Sequence, residues 1–172
     1  MVVTQTLAKR GSMKPVSEAI GRILELLARA PLRLEEATRG LQTTQLYLRS
    51  DVEPWSVSDI LAHLRACADV WGNSIIAMMT RDNPTLRYVS PRTWIRKTIY
   101  LEQEFSAALE SFVKERQKLV KVLADLDEAG WLRRGTFTGT SQRGRDQTVL
   151  SYADRLVNHE QAHLDQIEAL LR

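Results

Sequence analysis

Apolar residues recur every three or four positions along four stretches of the chain, the pattern of helices that bury one face. The pattern predicts helices over about 16–30, 56–80, 92–127 and from 148 to the C-terminus. Pro31 predicts a break after the first helix, followed by a second short piece over 33–41. The fold class is therefore all-α, and four helices of these lengths predict a four-helix bundle.

The boundaries of two helices carry local signals. Ser56 followed by Asp59 resembles a capping box, which starts a helix, and the segment 81–91 is a predicted loop bracketed by Asn83-Pro84 and Ser90-Pro91. The segment 132–147 has three glycines and no helical period. It predicts either a short hairpin or a long irregular crossover before the last helix.

Length and composition define the class further. A chain of 172 residues with 44% apolar and 26% charged residues suits one globular domain, which we expect over 14–172 after a flexible lead-in over 1–13. The formal charge of +3 gives little reason to expect nucleic acid as a partner, and no apolar run approaches the roughly 20 residues that cross a membrane. We expect a cytoplasmic protein.

The sequence has three histidines, and their positions predict a metal site. His159 and His163 are one turn apart on the last helix, so both imidazoles can reach one ion. His63 lies on the second predicted helix, which can be a neighbour of the last helix in a bundle. Each residue alone fits a solvated or hydrogen-bonded histidine, but together they predict a divalent ion with three imidazole ligands.

Two residues near these histidines allow two interpretations each. Glu160 falls in the middle of an apolar stripe, where a carboxylate must be paired, protonated or bound to a cation. It is either a catalytic or ligand-orienting group, or a structural carboxylate paired with an arginine or tyrosine of a facing helix. Cys67, the one cysteine of the chain, is either a fourth ligand or a small buried thiol, and the second is favoured.

The segment from His159 to His163 also matches the H-E-x-x-H pattern of zinc proteases, in which the glutamate is the general base. Those enzymes draw a third ligand from downstream, and only nine residues follow His163. Asp165 and Glu168 are on the same helix and do not reach back well to the ion. A third ligand from upstream, at His63, suits this chain better.

The segment W-S-V-S-D-I-L-A-H-L at 55–64 and the segment H-E-Q-A-H-L-D-Q-I at 159–167 resemble the DinB/YfiT superfamily. The resemblance extends over most of the chain, and Trp131 ahead of the glycine-containing loop is similar as well. It implies a four-helix bundle with left-handed up-up-down-down topology, often as a homodimer. It also implies a nickel or zinc site of three histidines, here His63, His159 and His163.

The resemblance implies less about activity. Some members are similar to transferases or isomerases that use a low-molecular-weight thiol, others are described as metal-dependent hydrolases, and the substrate stays open. A non-catalytic metal-binding or stress-associated bundle is the alternative. The arginines at 133, 134, 143 and 145 either attract an anionic cosubstrate or belong to a solvated loop. Trp55 and Trp131, at helix ends, are candidates for the wall of a pocket.

Overall fold

The computed structural model describes residues 16–49, 54–139 and 145–172, so the predicted lead-in over 1–13 lies outside the described residues. Two single turns of 3-10 helix, Ile95–Lys97 and Tyr100–Glu102, lie ahead of the long helix that begins at Phe105. The described elements, in chain order, are α1 (Val16–Thr38), α2 (Thr43–Leu46), α3 (Val57–Thr80), β1 (Thr85–Arg87), α4 (Pro91–Trp94), α5 (Phe105–Ala124), α6 (Glu128–Trp131), β2 (Arg134–Thr138), β3 (Arg145–Thr148) and α7 (Val149–Leu170).

The first helix corrects the predicted break at Pro31, because α1 continues through this residue to Thr38. A proline inside a helix loses one backbone hydrogen bond and costs about 3 kcal/mol. Here Pro31 and its neighbours Ala30 and Leu34 are buried in the bundle. Arg33 in the same stretch is bound to Glu168 of α7 at 2.6 Å. Packing and this ion pair therefore offset the lost hydrogen bond.

The second long helix, α3, begins and ends where the sequence predicts. The backbone N–H of Asp59 donates to the Ser56 hydroxyl at 3.1 Å, and the backbone N–H of Ser56 donates to the Asp59 carboxylate at 2.8 Å. Arg49 adds two hydrogen bonds of 2.7 Å to the same carboxylate. The last helix is confirmed in the same way, because the Thr148 hydroxyl caps α7 by accepting from the backbone N–H of Ser151 at 3.0 Å.

The predicted third helix over 92–127 is wrong in its first part, since α5 begins only at Phe105. The preceding residues form α4 and two 3-10 turns, and their apolar side chains pack on α3 instead of continuing the helix. Trp94 Nε1 donates to the Asp69 carboxylate at 2.9 Å, and the Tyr100 hydroxyl donates to it at 2.7 Å. Two side chains of the link thus bind one residue of α3. We call residues 81–104 the crossover segment.

A small sheet replaces the irregular crossover expected before the last helix. β2 and β3 pair antiparallel as the hairpin alternative predicts, and β1 of the crossover segment pairs parallel to β2. Gly135 of β2 lies where β2 meets α3. A Cβ there would be 2.9 Å from Met78 Cγ and 3.1 Å from the Pro84 carbonyl oxygen, so this close approach requires glycine.

The four-helix bundle is confirmed, and its helix directions correct the expected up-up-down-down order. Arg22 near the start of α1 binds Asp154 near the start of α7, and Arg33 binds Glu168 near the end, so α1 and α7 are parallel. The late residues of α3 and α5 pack with the early residues of α1 and α7. The early residues of α3 and α5 pack with the late residues of α1 and α7. The first core cluster includes Ile23, Leu27, Trp71, Ile75, Leu119, Leu123, Ala153 and Leu156. The second includes Ala30, Leu34, Ile60, Leu64, Phe105, Phe112, Leu164 and Ile167.

The topology is therefore up-down-down-up. The chain turns back after α1 through the link that holds α2, and after α5 through the link that holds α6 and the hairpin. The crossover segment alone has to bring the chain back along the length of the bundle, because α3 and α5 run in the same direction. Around the bundle, α7 packs on α1 and α3, and α5 packs on the same two helices.

Candidate metal centre

The three histidines meet between α3 and α7. These helices are antiparallel, so the early position of His63 on α3 faces the later half of α7. The ring centroids of His63, His159 and His163 are 4.5–5.2 Å apart in every pair. Nε2 of His63 is 3.0 Å from Nε2 of His159. The structure thus brings together all three residues that the sequence predicts as ligands.

Cys67 joins this group, one turn after His63 on α3. Its Sγ is 3.4 Å from His63 Nε2, and ligand atoms of His63, Cys67 and His159 all lie within 4.8 Å of one another. Ligands at roughly 2.0–2.3 Å from a tetrahedral zinc ion are about 3.3–3.6 Å apart. The separations of 3.0 and 3.4 Å from His63 Nε2 are close to this spacing, so the three residues are candidates for holding one ion. Cys67 is also fully buried. It is therefore a small buried thiol that also lies close enough to serve as a ligand, which are the two alternatives that the sequence left open.

His163 completes the cluster in a different manner. Its Nδ1 is 2.8 Å from Oε1 of Gln166, one turn further along α7, and an amide oxygen accepts a hydrogen bond. Nδ1 therefore carries the proton, and Nε2 is the nitrogen left for an ion. The Trp55 ring stacks on His163 with centroids 5.9 Å apart and planes at 13°. A hydrogen bond to the other ring nitrogen is the usual way in which a protein orients a histidine ligand.

Burial favours the uncharged forms of His63, His159 and Cys67. Desolvation, with the neighbouring histidines and Arg92, lowers the pKa of His63 to about 3, and similar causes lower the pKa of His159 to about 4. Desolvation raises the pKa of the Cys67 thiol to about 12, and the Glu160 carboxylate adds to this increase. Neutral imidazoles are the form that binds metal, whereas the thiol would need a cation nearby to lose its proton.

Glu160 makes no hydrogen bond to the histidines in the described part of the chain. It is fully buried, and its Oε1 accepts a hydrogen bond of 2.5 Å from Arg116 Nη2 on α5. Burial raises the pKa of Glu160, and the guanidinium opposes this increase. The structural interpretation, a carboxylate paired with an arginine of a facing helix, matches this contact, and the catalytic role stays a prediction.

Two cavities meet at the cluster. One of about 650 Å³ is lined by Arg49, Pro54, Trp55, Asp59, His63, Arg92, Ile95 and Leu101. A second of about 250 Å³ is lined by His63, Trp71, Tyr88, Ser90, Pro91, Arg92, Arg155, His159 and His163. His63 and Arg92 border both cavities, so a molecule in either cavity would lie beside the imidazoles.

The remaining candidates of the sequence divide between site and scaffold. Trp55 lines the larger cavity as expected, whereas Trp131 is 1% exposed and belongs to the first core cluster. Arg133 donates to the carbonyl oxygens of Met78 and Arg81 at the end of α3, so it has a structural role. Arg134 is exposed, and the side chains of the arginines at 143 and 145 lie outside the described residues.

Sequence reasoning did not find Arg92 and Arg155, although both line the smaller cavity with the histidines. Arg155 precedes His159 by four residues on α7, so helical spacing alone could have placed it on the same face. Arg92 carries no comparable signal, because the path of the crossover segment brings it to the site.

The fold and the site define a four-helix bundle in which facing helices gather histidines around a candidate metal position. The sequence model of the DinB superfamily matches residues 26–167, and the chain belongs to this superfamily. A solved structure, YfiT from Bacillus subtilis, superposes with a TM-score of 0.72 at 19% identity over 98% of this chain and 93% of that one. YfiT is described as "a probable metal-dependent hydrolase with an unusual four-helix bundle topology".

A comparison with curated protein sequences finds no match. Among the described residues, no helix is both long and apolar enough to cross a membrane.

Proposed function

We propose that this chain is a metal-dependent enzyme of the hydrolase type, with one divalent ion held by His63, His159 and His163. The observation that carries the proposal is the close approach of the imidazoles where two cavities meet, with Nε2 atoms of two helices only 3.0 Å apart. The description of YfiT as a metal-dependent hydrolase supports the same reaction class.

The residues have distinct tasks in this proposal. When bound, a divalent ion supplies Lewis acidity, which makes water more acidic and polarises a carbonyl or phosphoryl oxygen. The histidines hold and centre the ion, and Gln166 and Trp55 fix the orientation of the His163 ring. Cys67 lies close enough to offer sulfur as a further ligand. Imidazole with one thiolate favours zinc or nickel over magnesium or calcium.

In this proposal Glu160 stabilises the packing of α7 next to the site and transfers no proton. One oxygen of its carboxylate, Oε1, is bound by Arg116 in the core, and this pair joins α7 to α5 directly next to His159. The H-E-x-x-H protease mechanism requires the glutamate to reach the reacting water. The contact with Arg116 therefore argues against a peptidase.

Thiol-dependent transfer is a second candidate, which one observation favours. A transferase binds two molecules at once, and the two cavities share His63 and Arg92 as a common border. A low-molecular-weight thiol in one cavity and its acceptor in the other would both lie beside the imidazoles. The same metal site serves either reaction, and activity assays with and without added thiol separate the two.

The first test is the metal content of the purified protein, measured by mass spectrometry after loading with zinc or nickel and desalting. We expect about one ion per chain, and clear loss of the ion in His63→Ala, His159→Ala and His163→Ala. Asn158→Ala is the matched control, since Asn158 is exposed next to His159 and binds Arg22 instead. Unchanged metal content in the three histidine variants would refute the site.

The second test is turnover of p-nitrophenyl esters and phosphates by the loaded protein. Hydrolysis that depends on zinc or nickel and is lost in His159→Ala supports the hydrolase. Turnover that appears only with an added thiol, such as cysteine, favours the transferase. Full metal binding without turnover under both conditions favours the non-catalytic alternative.

A further inference from the structure

Arg92 is exposed at the border of both cavities. It lies at the start of α4 in the crossover segment, and its guanidinium is 5.7 Å from the Trp55 ring centroid. Among the residues that the structure describes, it has no carboxylate within ion-pair distance. Arg49, in contrast, is also on the wall of the larger cavity and is bound by both oxygens of Asp59.

Arg155 has the same character on the other side of the smaller cavity. It is half-buried on α7, and its guanidinium lies 5.0 Å from the Trp71 ring centroid and 5.8 Å from that of Tyr88. It likewise has no carboxylate partner in the described part of the chain. Aromatic faces hold a guanidinium in place without using its N–H donors, so the donors stay available.

Trp71 lies in the wall of the smaller cavity together with Arg155. Nε1 of Trp71 is buried without a hydrogen-bond partner, and Trp71 is 3% exposed. This nitrogen is closed off from the cavity, so Trp71 offers a ligand the surface of its ring and no donor. The smaller cavity is thus lined by two guanidinium groups that have no carboxylate partner among the described residues.

The larger cavity determines which kind of molecule the rest of the ligand is. Trp55, Ile95 and Leu101 give the larger cavity an apolar side, and its one described carboxylate, Asp59, is already neutralised by Arg49. A cavity of mostly apolar surface with a few convergent polar groups binds small organic molecules. A molecule with an oxyanion at one end and an apolar body suits both cavities.

We infer that the substrate of this enzyme is an organic oxyanion, a carboxylate or phosphate on an apolar body, whose charged group is bound by Arg92 and Arg155 beside the histidine cluster. The inference rests on the proposed function in one respect, namely that the bound anion is a substrate. The binding of the anion itself needs only the two arginines. Guanidinium groups match the planar geometry of carboxylate and phosphate oxygens, so they serve better here than lysines.

The test is a calorimetric titration of the full chain at fixed ionic strength, with and without bound zinc. The probes are benzoate and phenyl phosphate as organic anions, benzamide as the neutral analogue of benzoate, and inorganic phosphate as an anion without an apolar body. We expect saturable binding of benzoate or phenyl phosphate and at least tenfold weaker binding of benzamide. Weaker binding of inorganic phosphate than of phenyl phosphate would support the apolar part of the inference.

Variants assign the binding to its residues. Arg92→Gln and Arg155→Gln should each weaken binding of the organic anions about tenfold, the range for one charge-assisted hydrogen bond. Arg92→Lys should recover part of the loss. Arg29→Gln removes the same charge from an exposed position on α1 paired with Glu25, and it should leave binding unchanged. Equal affinity of wild type, Arg92→Gln and Arg155→Gln, or equal affinity for benzoate and benzamide, would overturn the inference.

The two proposals fail separately in these experiments. Anion binding that depends on both arginines in a protein that takes up no metal would refute the metal centre and leave the oxyanion site intact. One ion per chain together with no binding of benzoate or phenyl phosphate would overturn the oxyanion site alone.

Discussion

The Arg116–Glu160 pair makes a strong prediction about stability. Arg116 is 2% exposed and Glu160 is fully buried, with one hydrogen bond of 2.5 Å between them. Removing either partner leaves the other charge in the core, which costs about 3–5 kcal/mol. A domain has about 5–15 kcal/mol of stability in total. We therefore expect Glu160→Leu and Arg116→Met each to lower the melting temperature by roughly 6 to 20 °C.

The double variant should behave differently. Arg116 Nε and Glu160 Oε2 are buried without partners, so the pair itself leaves two polar atoms unsatisfied. Replacing both residues by apolar side chains of similar size removes these penalties and is often neutral or stabilising. We expect Arg116→Met with Glu160→Leu to be within about 1 kcal/mol of the wild type, or more stable.

The assays are thermal unfolding and urea unfolding of the metal-free protein, both followed by circular dichroism, for the wild type and all three variants. Glu110→Gln is the control, since Glu110 is exposed and its pair with Lys114 contributes little. If both single variants unfold within about 0.5 kcal/mol of the wild type, the structural role of Glu160 is refuted. A carboxylate that serves only catalysis would give that result.

Three further predictions concern other parts of the molecule. Burial raises the pKa of Asp59, but hydrogen bonds from Arg49 and Ser56 outweigh this and hold that pKa below its usual value. Asp59→Asn should therefore cost about 1–2 kcal/mol at pH 7, and in urea unfolding its difference from the wild type should shrink as the pH falls below about 4. Gly135→Ala should lower stability by about 1–3 kcal/mol in the same assay, because the added Cβ meets Met78 and the Pro84 carbonyl. Zinc at about 100 times its dissociation constant should raise the melting temperature by roughly 5 to 11 °C in differential scanning calorimetry, and His63→Ala should abolish the increase.

The predictable parts of the fold are those with strong local signals. Ser56 caps α3 as predicted, because a cap acts within one turn of helix, and α7 begins after Thr148, where the apolar period predicted it. Pro31 misled the same reasoning, because tertiary packing outweighs a local preference that costs only about 3 kcal/mol. The helix predicted from 92 failed for a related reason. Its apolar spacing comes from short turns that Asp69 binds from another helix.

Helix directions depend on which ends of the bundle the links join. Helical periodicity contains no such information, so the up-up-down-down order came from the resemblance, and the structure corrects it. The histidine cluster was accessible from sequence because His159 and His163 share one helix face and His63 was the remaining histidine. Arg92 was not, since its place depends on the crossover segment. The predicted homodimer and the choice between nickel and zinc stay predictions.

The residues of the site come from two separate parts of the chain, the bundle helices and the crossover segment. The histidines belong to α3 and α7, which also build the core, so a change there affects the stability of the whole bundle. Arg92 and Tyr88 come from a link that is held to the rest of the fold through β1, Ile95 and its hydrogen bonds to Asp69. Substitutions in this link can alter which molecules reach the imidazoles while the helices stay intact. An engineer who wants new selectivity from this scaffold should therefore diversify residues 88–90 and 92 first, since they lie outside β1, and leave the two helices unchanged.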